Sequence, residues 1–134
     1  MDNPIYLDTS ALVKLVMREH ESEYLEAFLE PGQQGVSSEL TEVELTRAVL
    51  RHKPECLSTA LEVLAQTILL PITAMVLRDA CRLKPATLRS LDAIHLATAL
   101  GIQADLSGLV SYDNRMLEAS RAAGIDAFSP GFVR

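Results

Sequence analysis

Five short apolar runs, separated by stretches of helical character, constrain this chain more than any other feature. They are "PIYL" (Pro4–Leu7), "GVSS" (Gly35–Ser38), "TILLPI" (67–72), "GLVSY" (108–112) and "IDAF" (125–128). The pattern between them predicts helices at Ser10–Glu19, at 21–30 with Ser22 as cap and Pro31-Gly32 as stop, and from about Glu39 to Arg51, closed by Pro54. Further helices are predicted from about Leu57 to Gln66, over 74–83 behind a Thr73 cap, over 90–100 with Gly101 as the residue beyond its end, and over Asn114–Ala123 ahead of Gly124. Short strands joined through helices need crossover connections, so their sheet is parallel and covered on both faces. The expected class is therefore α/β: three layers, α/β/α, around a central, mainly parallel, roughly five-stranded sheet.

A chain of 134 residues fits one domain, residues 1–134, and no repeat, low-complexity tract or linker divides it. Hydrophobic residues make up 49% and aromatics 4%, with no Trp, so the core is expected to be aliphatic. Cys56 and Cys81 have no spacing partner for a metal site or a disulfide framework, and two plain thiols suit a reducing cytosol. Residues 1–20 lack the basic start, long apolar centre and cleavage site of a signal peptide, and "ILLPI" is too short to span a bilayer. The expectation is a cytoplasmic protein with no membrane association. The formal net charge of −6 argues against binding nucleic acid through overall charge, while leaving room for a local basic rim.

Ligands in parallel α/β sheets bind beyond the carboxyl ends of the strands. Asp8 follows the first strand and Asp113 follows "LVSY", so both are predicted at that edge. Asp92 is the one acid in "SLDAIHLATAL", a helix apolar nearly all round and so expected to be buried. An acid in a first turn also supports the helix dipole whether or not it binds a ligand. His95, one turn on, reads as a satisfied core residue rather than a metal ligand. The helix "ELTEVELTRAVLR" offers Glu42 and Glu44, which point about 200° apart, at roughly 100° per residue, and cannot both face one pocket. Periodicity leaves open which faces inward. Arg47 stands at i+3 from Glu44, in reach to pair with it. Clustered carboxylates repel, and a hard divalent cation such as Mg²⁺ or Mn²⁺ removes the repulsion while accepting substrate phosphate.

Four segments in order, "YLDTSALVKL", "SELTEVELTRAVLR", "SLDAIHLATAL" and "LVSYDNRMLEASRAAGI", resemble a PIN-domain ribonuclease, specifically a VapC-type toxin of a bacterial toxin–antitoxin pair. The resemblance implies a PIN-like fold with catalytic residues Asp8, Glu44, Asp92 and Asp113, of which Asp8, Asp92 and Asp113 would hold Mg²⁺ or Mn²⁺. Thr9, Ser10, Arg47 and Ser111 would support the site; the family often has Thr where Ser111 stands. Glu42 remains the alternative to Glu44.

Such enzymes cut RNA, usually tRNA or rRNA, by metal-activated water and leave a 5′-phosphate. The resemblance further implies a VapB-like antitoxin that blocks the site, a homodimer, and contact with DNA only through the antitoxin. Amphipathic segments "EYLEAFL" and "LEVLAQ" could form part of a partner groove near the first helices, although covering the core is the commoner outcome. Lys14, Arg18, Arg89 and Arg115 lie near the acids in sequence and could contact RNA phosphates. Few aromatics are available for base stacking.

Other acid-bearing classes fit less well. A haloacid-dehalogenase-type phosphatase needs a second Asp two positions after the first, where Ser10 stands. A receiver domain needs an adjacent acidic pair near the first strand and a late Lys. A catalytically silent PIN domain acting as an RNA- or protein-binding module is the non-enzymatic alternative.

Overall fold

The computed structural model describes residues 3–132. Its sheet has five parallel strands, β1 (Ile5–Leu7), β2 (Gly35–Ser38), β3 (Ile68–Leu70), β4 (Gly108–Val110) and β5 (Ala127–Phe128), in the spatial order β3-β2-β1-β4-β5. The chain builds outward from β1 to β2 and β3, then returns to add β4 and β5 on the other side. The crevice between β1 and β4 is thus the switch point of the sheet, where a parallel α/β fold places its ligand.

The alternation of side chains along each strand sorts the core into two layers. Ile5 and Leu7 of β1 and Val110 of β4 face helices α1 (Thr9–Val16), α2 (Ser22–Phe28), α3 (Leu40–His52) and α4 (Leu57–Gln66), meeting Leu12, Leu25, Leu45, Val49 and Leu64. Tyr6, Val36 and Leu109 face the other way, onto α6 (Ser90–Leu100) and α7 (Asn114–Ala122), where Leu96, Met116 and Leu117 are wholly buried. The end of α5 (Ala74–Ala80) closes this second layer through Ala80. The three-layer parallel fold expected from the alternating runs is the one formed.

Local differences have physical reasons. Helix α1 ends at Val16 rather than Glu19, because Met17 turns to an extended backbone while its N–H bonds the Val13 carbonyl. Ser22 does not cap α2 by preceding it: it is the first helical residue, and its buried hydroxyl accepts from the Glu19 N–H at 2.9 Å. Thr73 does cap α5, accepting from Val76 N–H at 3.1 Å, but α5 stops at Ala80. Gly101 keeps helical angles (φ −62°), so the left-handed turn that glycine favours is not used there. It is used at Gly124, φ 91°, behind α7. Strand β3 lies at the sheet edge, and Ile68 is 49% exposed, so "covered on both faces" fails at that edge. Leu91 likewise stands exposed on α6, which buries Ala93 and His95 through Ala99 instead of all its apolar residues. No described helix is long and apolar enough to cross a membrane.

Candidate active site

Asp8 is the residue immediately after β1 and the N-cap of α1, and it is 4% exposed. Its carboxylate accepts the Ala11 N–H at 3.0 Å and the Ser10 hydroxyl at 2.6 Å. Ser10 Oγ also accepts the Tyr112 N–H at 2.8 Å and lies 3.4 Å from Ser111 Oγ, which accepts the Asp113 N–H at 3.1 Å. The two strand ends are therefore sewn together by hydroxyls across the switch point. Among the described residues no Lys or Arg pairs with Asp8. Burial pushes its carboxyl above the ordinary range, only partly offset by Ser10, Ser111, His95 and the Ala11 amide.

Glu44 projects from α3 toward the same edge. Thr9 Oγ1 donates to its Oε1 at 2.6 Å, and His95 Nε2 lies 2.8 Å from the same oxygen. Burial raises the Glu44 carboxyl, but His95 and Thr9 outweigh it and hold the group below the ordinary range. Glu42, two residues earlier, is exposed. Arg47 is exposed as well, and the expected Arg47–Glu44 pair is replaced by His95–Glu44. The hydroxyls of Thr9 and Ser10 are spent on Glu44 and Asp8 rather than left open to a ligand.

Asp92 lies in the first turn of α6, and Asp113 caps α7, accepting from Arg115 N–H at 2.9 Å and Met116 N–H at 3.3 Å. Arg89 joins them: its Nε donates to Asp92 at 3.1 Å and its other arm to Asp113. Both carboxylates are partly buried, whereas the Arg89 side chain is 60% exposed.

The four acids thus fall into two hydrogen-bonded groups: Asp8–Ser10–Ser111–Asp113–Arg89–Asp92, and Glu44 with Thr9 and His95. Among the described residues no three acidic, His or Cys groups are gathered closely enough to hold a metal ion as they stand. The donor chemistry nevertheless fits a hard cation. The donors are carboxylate oxygens, Asp8 is a buried anion without a cationic partner, and the Asp92–Asp113 pair already holds a positive charge, that of Arg89.

Of the four basic residues near the acids, Arg115 is exposed beside Asp113, and Arg18 is exposed but paired with Glu26 at 2.7 Å. Lys14 is turned inward, between Glu21 at 3.1 Å and Glu19 at 3.4 Å and 5.2 Å from the centre of the Tyr112 ring. Residue-by-residue reading missed the His95–Glu44 contact. Its one hint was a histidine placed one turn beyond Asp92 on a largely apolar helix.

A parallel sheet with carboxylates at its β1/β4 switch point defines an α/β domain with an acidic site beyond its strand ends. The PIN domain family model matches residues 5–122, and the chain belongs to that family, in its VapC type. Ribonuclease VapC35 of Mycobacterium tuberculosis (strain ATCC 25618 / H37Rv) is 45% identical over 134 residues, covering 97% of this chain and 99% of the relative. Ribonuclease VapC47 of Mycobacterium tuberculosis (strain CDC 1551 / Oshkosh) is 43% identical over 135 residues, with the same shares. Among solved structures, a toxin–antitoxin complex from Klebsiella pneumoniae aligns with a TM-score of 0.67 at 21% identity, over 97% of this chain and 96% of that one. VapBC2 from Rickettsia felis, bound to a DNA fragment from the promoter, aligns at 0.66 and 16% identity, over 94% and 98%. At such identities the structural likeness is one of fold.

Proposed function

We infer that this chain is a VapC-type ribonuclease toxin neutralised by a VapB-type antitoxin. The observation that carries this reading is 45% identity to Ribonuclease VapC35 across 97% of the chain. The placement of acids at the sheet's switch point agrees with it. The substrate we propose is cytoplasmic RNA, tRNA or rRNA, cut by a homodimer whose only link to DNA runs through the antitoxin. The whole chain, 1–134, is taken as one domain.

The cofactor proposed is Mg²⁺ or Mn²⁺, with Asp8, Asp92 and Asp113 as the residues that would hold it. When bound, such an ion supplies Lewis acidity toward water and the scissile phosphate. The protein's own groups do the rest. Glu44, kept ionised by His95 and Thr9, accepts a hydrogen bond and so orients the attacking water. Ser10 and Ser111 hold Asp8 and the backbone of Asp113 in register across the two strands. Arg115, exposed at the rim, meets the substrate's phosphates; Arg89, Arg18 and Lys14 do so only on leaving their acidic partners.

The test is cleavage of tRNA and rRNA by the purified protein with Mn²⁺, followed by mapping of new 5′ ends. Asp8→Asn and Asp92→Asn should each lower the rate by about a hundredfold or more, the scale of losing a catalytic electrostatic group. Binding of RNA without any cleavage by the parent would instead favour the silent PIN module.

A further inference from the structure

The strongest unassigned feature is a chain of polar groups crossing the interior on the α6 side of the sheet. Tyr6 of β1 is wholly buried, and its hydroxyl lies 2.8 Å from His95 Nδ1. His95 is 2% exposed, and its other nitrogen lies 2.8 Å from Glu44 Oε1. The two rings meet edge to face, with centroids 5.9 Å apart and planes at 81°. Thr9 donates to the same Glu44 oxygen and is steadied by Thr41 at 3.2 Å, which in turn meets Ser37 at 2.8 Å.

We propose that His95 is a positioning residue for the ribonuclease reaction, locked by Tyr6 in one tautomer so that it fixes the Glu44 carboxylate at the site. The inference deepens the assignment of Glu44 to the reaction and rests on it.

The direction of the chain follows from its chemistry. Burial, with Asp8 nearby, raises Tyr6 well above the usual phenol range, so Tyr6 keeps its proton and can give it to Nδ1. A neutral imidazole that accepts at Nδ1 carries its hydrogen on Nε2, the nitrogen facing Glu44. Both bonds to Glu44 then fall on Oε1, from Thr9 and His95, and among the described residues Oε2 is left for the site. A glutamate side chain has three rotatable bonds, and two donors on one oxygen restrict it to one arrangement. The relay also ties α6, which carries Asp92, to α3, which carries Glu44. A purely apolar interior would fill the same volume with Phe and Leu. The buried phenol and imidazole are tolerated because each polar atom has a partner.

Two amide variants separate positioning from simple core filling. In His95→Gln the terminal amide reaches roughly where Nε2 stood and still donates to Glu44. In His95→Asn the amide reaches only the Nδ1 position, toward Tyr6. Rates are measured with a saturating single-stranded RNA oligonucleotide and Mn²⁺. The expected result is a kcat for His95→Gln within a few-fold of the parent, and for His95→Asn a loss of roughly 10–100-fold with KM little changed, the scale of a misplaced group. In a Glu44→Gln background, His95→Asn should cost nothing further.

A second readout needs no turnover. Long-range ¹H–¹⁵N spectra of the metal-free parent should show a hydrogen on His95 Nε2, and Tyr6→Phe should move the Nδ1 resonance. Equal losses in the two amide variants, or a hydrogen on Nδ1, would overturn the proposal. Full activity in Glu44→Gln marks a different failure, that of the site assignment beneath it.

Discussion

Arg89 donates to Asp113 across the gap between the start of α6 and the cap of α7, while its Nε holds Asp92 one turn away on its own helix. A guanidinium thus bridges two of the carboxylates proposed to hold a divalent ion. Two cations do not share such a place without repulsion.

Arg89→Met should therefore tighten Mn²⁺ binding several-fold by removing the competing charge. The same variant should lower the melting temperature of the metal-free protein, whose Asp92 and Asp113 would face each other uncompensated. Calorimetric titration with Mn²⁺ and thermal melts in EDTA check both halves. Weaker Mn²⁺ binding in the variant would show that Arg89 assists the ion rather than competing with it.

Asp8 yields a prediction of opposite sign for stability and activity. Its carboxyl is raised above the ordinary 3.8 by burial, so folding favours the protonated form. The stability this group supplies is complete below 3.8 and is lost as pH rises through the higher folded value. Asp8→Asn keeps the N-cap and removes the buried charge. In EDTA at neutral pH the variant should be more stable than the parent by about 1–3 kcal/mol, the range for relieving a buried unpaired charge. The gain should shrink as the buffer is acidified toward about pH 4. Urea melts across that range measure it, while RNA cleavage by the same variant is lost.

The backbone architecture was legible because short strands and amphipathic helices carry their periods locally. Asp8 and Asp113 were legible for the same reason: a residue just past a strand end has one place to go. The inward choice of Glu44 over Glu42 was not, since a 13-residue helix with Leu45 and Val49 on its buried side leaves either rotation consistent with polarity. The partner of Glu44 was hidden too, because His95 comes from a segment 51 residues away. Arg47, at i+3, was the local candidate, and tertiary packing overrode it. Lys14 reads in sequence as a candidate phosphate contact; only the turn after α1, which brings Glu19 and Glu21 back over it, draws it inward.

Gly108 gives a packing prediction at the thin edge of the sheet. A Cβ there would stand 2.7 Å from Phe128 Cε2 and 3.0 Å from the Asp126 carbonyl oxygen. The ring is 37% exposed and can swing aside, but the carbonyl accepts the Leu109 N–H at 2.9 Å and is held by the ladder. Gly108→Ala should cost about 1–3 kcal/mol, as overpacking does. Adding Phe128→Ala should not restore the parent's stability, because the clash with the backbone remains. Chemical denaturation of the single and double variants decides it.

The acid side of the stability profile should carry the mark of Lys14 and Glu21. Burial alone would raise the Glu21 carboxyl, but the bond and charge of Lys14 outweigh it and hold the group below the ordinary 4.5. A lowered folded value means that the contribution is present above 4.5 and is lost as pH falls through the lower one. Lys14→Met keeps the aliphatic stem over Tyr112 and removes the charge. The variant should lose under about 1 kcal/mol at neutral pH, since one partner of the pair lies near the surface. Its deficit against the parent should vanish once both are acidified below the lowered value. The Tyr112 phenol, pushed up to about 12 by burial and by the charges of Glu21 and Asp8, provides an independent probe. Lysines ordinarily lose their charge below that pH, so the phenol's alkaline absorbance change should stay where it is in the variant. A downward move would mean that Glu21 had turned away from the ring when its partner was removed.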